Sequence, residues 1–90
     1  MSMKLAVEID GNEIGSPISL DPPYGVRILY TDEWVAKAKE ELSHGTKHGR
    51  TTRPVYFVAE WTQHRGTAGR LIEWLEDKSI PVTRYAELYE

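Results

Sequence analysis

The segment Val55-Tyr56-Phe57-Val58-Ala59 constrains the fold more than any other stretch of the chain. Its run of apolar, β-branched and aromatic residues presents hydrophobic side chains to both faces of a strand. Such a strand needs cover on each side, which favours a central position in a sheet with helices on both faces over a two-layer arrangement. At 90 residues, 40% hydrophobic and 28% charged, the chain has room for one such core. We therefore expect a single small α/β domain over residues 1–90.

The flanking segments supply the other elements. Leu5, Val7 and Ile9 alternate with Lys4, Ala6 and Glu8, the period of a half-buried strand, and Asp10-Gly11 carries tight-turn residues. A returning strand through Ile14, Ile18 and Leu20 would complete an N-terminal β-hairpin, at a sheet edge or with a bulge because Pro17 lacks an N–H and Gly15 weakens pairing. Val26 to Tyr30 reads as a short strand. Thr31 then caps a helix with Asp32 and Glu33 in its first turn, and Trp34, Val35, Ala38 and Leu42 make its apolar stripe up to a stop at Gly45. Residues 45–53 read as an exposed loop. After the central strand, Thr67 caps a second helix whose Ala68, Leu71, Ile72 and Leu75 face inward and which ends at Ser79. Ile80 to Thr83 is a last short strand, followed by a helical turn or a frayed tail. The prediction is an α/β (or α+β) fold: a small mixed β-sheet, with an N-terminal β-hairpin followed by β-α-β-α-β with two main helices, whose last three strands run parallel.

Charge is the most informative bulk feature. The whole chain carries a net −3, yet from His44 to Arg70 five bases face the single acid Glu60, a local +4. The remainder holds six bases and thirteen acids, a net −7. There is no cysteine, so disulfides, thiolate metal sites and thiol nucleophiles are excluded. A charged, alternating segment follows Met3 directly, which predicts neither a signal peptide nor a membrane span, and hence a cytoplasmic protein without membrane contact.

Asp21-Pro22-Pro23-Tyr24, preceded by Ile18-Ser19-Leu20, resembles over four residues the D-P-P-Y motif of the adenine-N6 DNA methyltransferases, which implies a pocket for a flipped base. That family carries the motif in a much larger domain with a separate S-adenosylmethionine motif after an earlier strand. Only one short predicted hairpin precedes Asp21 here, and Asp-Pro-Pro is also a favourable turn sequence.

Gln63 to Arg70 follows a strand and opens a helix, so backbone N–H groups, the helix dipole, Arg65 and Arg70 can hold an anion, with Gly66 turning the chain and Thr67 capping. Its spacing is neither a Walker loop nor a dinucleotide fingerprint. Lys47, Arg50 and Arg53, with Thr51 and Thr52, can track nucleic-acid phosphates, although no aromatic residues interleave them and the two basic loops need not share a surface. His44 and His48 are four apart, but Gly45 interrupts any helix there and no acid completes a metal site, so solvated loop histidines are expected. Trp61 and Trp74 need not both lie on buried stripes, which makes them candidate partner contacts.

These features predict a small non-enzymatic binding module, such as an inhibitor, adaptor or accessory subunit, acting on a protein partner or as a homodimer. The alternative is a phosphate- or nucleic-acid-binding domain using loops 44–53 and 63–70. A weaker one is a small hydrolase or nuclease using Glu60 and His64. No cofactor, metal site or complete catalytic set is predicted.

Overall fold

The computed structural model describes residues 3–12, 16–17, 20–44, 46–47, 52–62 and 68–88. Among the described residues, five strands and two helices follow one another as β1 (Met3–Asp10), β2 (Val26–Leu29), α1 (Asp32–Leu42), β3 (Thr46–Lys47), β4 (Pro54–Trp61), α2 (Ala68–Asp77) and β5 (Val82–Leu88). They form one sheet in the order β2-β4-β1-β5-β3. The small α/β class with two main helices stands as expected, but the strand pairing differs from the expected one. Every adjacent pair is antiparallel.

Two features of the chain path explain the difference. Two residues inside the expected loop, Thr46 and Lys47, form the edge strand β3 against Tyr85 and Arg84. This extra strand reverses the chain once more between α1 and β4, so β4 returns antiparallel to β2. β4 and β5 do point the same way across α2, but β1 lies between them and pairs with both. With both edges of β1 occupied, no edge remains for the expected hairpin partner. Ile14 and Ile18 lie outside the described residues, and Leu20 belongs to no strand.

Side-chain parity then divides the core into two. Leu5, Val7 and Ile9 of β1 and Phe57 and Ala59 of β4 pack with Leu71 and Leu75 of α2 and with Ile80. On the other face Ala6 and Val58 pack with Ala38 and Leu42 of α1. The helices therefore cover opposite faces, as the doubly apolar central segment anticipates, and Phe57, Val58 and Ala59 are all fully buried.

The helix ends follow local chemistry. Thr31 Oγ1 accepts the Trp34 N–H at 3.4 Å and caps α1. The helix stops at Leu42, before Gly45, where Ser43 Oγ donates to Glu40 O at 2.6 Å. At the end of α2, Ser79 takes a left-handed φ of 62°, and the N–H groups of Ser79 and Ile80 bond Glu76 O and Leu75 O, each at 2.9 Å. This is the Schellman pattern, with serine where glycine is usual and Ile80 folded back onto Leu75. β5 continues to Leu88, replacing the expected tail, because its whole length pairs with β1.

Candidate functional site

Strand parity places Trp61. It ends β4 in register with Met3 on one side and Val26 on the other, on the same face as Ala59 and Phe57, and so turns toward α2. On α2, Arg70, Glu73, Trp74 and Asp77 recur at helical spacing and form one stripe. These four residues and Trp61 line an open groove of about 370 Å³. Both indoles are half-buried with their bodies against the apolar core, whereas Arg70, Glu73 and Asp77 are exposed. The strand end beside the groove is fixed by Gly25, whose carbonyl accepts from Thr62 N at 2.7 Å and Thr62 Oγ1 at 2.9 Å. Gly25 adopts a φ of 91°, which side-chain-bearing residues rarely take. Next to it, Tyr24 is 89% exposed at the same end of the sheet.

The sequence stretch with net +4 is divided by the fold. Arg53 is exposed just before β4, its carbonyl accepting from Gly11 N at 2.7 Å, whereas Arg70 is exposed beyond the other end of the strand. The seven steps of β4 separate these ends by about 24 Å. Lys47 lies in β3, opposite Arg84, at the Arg53 end. Arg50, Arg65, Gly66 and Thr67 lie outside the described residues, as do His48 and His64, and His44 is exposed. Among the described residues no group of three histidines or carboxylates is placed to hold a metal ion. Glu60, the acid of the hydrolase alternative, is ion-paired to Lys4 at 3.3 Å and to Arg27 at 3.5 Å.

No family model, curated protein or solved structure matches the chain.

Sequence reasoning missed a polar row on the α1 face, buried at Glu8 and half-buried at Tyr56 and Arg84. Tyr56, Glu8 and Arg84 are cross-strand neighbours on β4, β1 and β5. The β1–β5 register shifts between Glu8 and Ile9, leaving Thr83 as an extra residue on β5. Thr83 Oγ1 consequently reaches Glu8, donating to Oε2 at 2.8 Å and lying 3.2 Å from the Glu8 carbonyl. Burial raises the Tyr56 hydroxyl pKa above its ordinary value, and a hydrogen bond to Glu8 and the negative charge of Glu8 push it further, against a lowering by Arg84. Arg84 Nη1 donates to Leu42 O at 2.9 Å, placing a cation at the negative end of α1. The sequence signal was Glu8 between apolar Val7 and Ile9, which period alone assigns with Lys4 to a wet face.

A second groove of about 400 Å³ lies on the other side of α2, lined by Ile72, Glu76, Val82 and Tyr85. Among the described residues no helix is long and apolar enough to cross a membrane.

Proposed function

We propose that the chain is a non-enzymatic binding module that docks a protein partner on the groove between the end of β4 and α2. The observation that carries this reading is the meeting of Trp61 and Trp74 in one open groove, with Arg70 beside them. Tryptophan, tyrosine and arginine are the residue types that dominate binding hot spots, and exposed Tyr24 at the same sheet end adds to the set. Because both indoles are anchored in the core, little side-chain freedom is lost when a partner covers them. The engagement of Glu60 by two cations supports binding over hydrolysis.

The test is site-specific photo-crosslinking in native cells, with the reactive residue at Glu73 and, as a control, at Glu33 on α1. A discrete protein adduct from position 73 only, lost in Trp74→Leu, is expected. Equal adducts from both positions, or none from position 73, would refute the docking reading.

One observation favours phosphate recognition as a second reading. The first turn of α2 has no acidic residue to offset the positive end of the helix dipole, and Arg70 stands there. Because β4 separates Lys47 and Arg53 from this point, they form a distinct contact rather than an extension of it. Binding of short RNA or DNA that falls steeply with salt and disappears in Arg65→Ala/Arg70→Ala would favour this reading over protein docking.

A further inference from the structure

We infer that the groove receives a basic side chain, a lysine or arginine presented by an extended segment of the partner protein, at its Glu73–Asp77 end. This rests on the docking reading and adds the chemistry of the residue that inserts.

Three independent observations converge on a cation. The groove walls combine two indoles with two carboxylates, and a ring face beside an anion is the environment that best replaces the water around an ammonium or guanidinium. The charge is also directional along α2. Arg70, which is already engaged within the chain, marks one end of the groove, and Asp77 marks the other about 10 Å away along the helix. The last turn of α2 contains no basic residue and Lys78 follows it directly, so within the groove lining Asp77 adds a negative charge at the negative end of the helix dipole. An acidic segment is repelled there and a basic one is drawn in.

The third observation is that the chain already puts a cation on this tryptophan. Lys78 Nζ sits 6.0 Å from the centre of the Trp74 ring, at the outer limit for such contacts, whereas Lys37 approaches Trp34 to 4.7 Å. Lys78 is exposed and does not line the groove, so the Trp74 ring takes a cation from within the chain while the groove itself stays open to one from a partner.

The experiment follows the three indole N–H signals of the whole, isotope-labelled chain during titration with capped peptides. The peptides are identical except for arginine, glutamine or glutamate at the centre. The arginine peptide is expected to shift Trp61 and Trp74 but not Trp34, and to bind roughly three- to ten-fold more tightly than the glutamine peptide, with the glutamate peptide weakest. Glu73→Gln/Asp77→Asn should remove that preference. This variant alters only exposed side chains, and an unmoved Trp34 signal verifies its fold.

Equal affinity for the arginine and glutamine peptides, or no shift of Trp61 and Trp74, would overturn the cation site. Displacement of the arginine peptide by a short RNA at the same signals would also overturn it, assigning the groove to nucleic acid. A specific crosslink at position 73 without arginine preference keeps the docking reading and removes the cation. Arginine preference without a crosslink keeps the cation site and removes the protein partner.

Discussion

Thr83 donates its hydroxyl to Glu8 at 2.8 Å across the one register shift between β1 and β5, two residues separated by 75 positions in sequence. Both are buried, at 4% and 7% exposure, so this bond supplies hydrogen bonding to a carboxylate that water reaches poorly. Replacing the hydroxyl by a methyl leaves the carboxylate short of a donor in the same volume. Thr83→Val is therefore expected to cost about 1–3 kcal/mol. Urea denaturation measures this as a lowered midpoint at constant slope, and an unchanged midpoint would show that Glu8 is hydrated after all.

The same row makes stability depend on alkaline pH. Burial first, then the hydrogen bond to Glu8 and the repulsion by its charge, hold the Tyr56 hydroxyl protonated above its ordinary value of 10.0. A group whose folded pKa exceeds its unfolded value contributes stability that is complete below the unfolded value and is lost as pH rises through the folded one. The wild-type chain should thus lose stability more steeply than Tyr56→Phe as pH rises above 10.0. Thermal melts of both proteins through that window provide the comparison, and parallel curves would contradict the raised pKa.

Gly11 is required for space rather than for a left-handed turn. A Cβ there would stand 2.7 Å from Arg53 O and 2.7 Å from Val55 Cγ2. Backbone on one side and an anchored strand residue on the other give little room to relax, so Gly11→Ala should destabilise by about 1–3 kcal/mol. Its thermal midpoint should fall accordingly. A wild-type midpoint would mean that the approach of Arg53 to Gly11 is adjustable.

Ser79 offers the opposite case. Its φ of 62° strains any residue with a side chain, while its N–H and that of Ile80 close the end of α2. Ser79→Gly keeps both bonds and removes the strain, for an expected gain of about 0.5–1 kcal/mol after the greater flexibility of glycine in the unfolded chain. Chemical denaturation showing a loss would place the strain elsewhere.

The fold was legible wherever one segment carried its own signal. Thr31 with Asp32 and Glu33 marks the start of α1, and the alternation of Leu5, Val7 and Ile9 marks β1. The doubly apolar Val55–Ala59 segment indicated cover on both faces. Pairing was not legible, because β3 has two residues within a polar stretch and nothing in its composition announces the reversal it makes. The Trp61–Trp74 groove was half legible. Both tryptophans stood out, but their meeting depends on β4 ending beside α2, and the Arg70, Glu73 and Asp77 stripe gains its role only there.

The sequence by itself determined both main helices, the strands β1, β2 and β4 and how charge is distributed along the chain, because periodicity and capping act within a few residues. Only the tertiary structure decided that β1 separates β4 from β5, that Trp61 meets Trp74, and that Glu8 meets Thr83. These outcomes depend on which distant strands share hydrogen bonds and in what register, and a register shifted by a single residue exchanges the faces on which side chains meet.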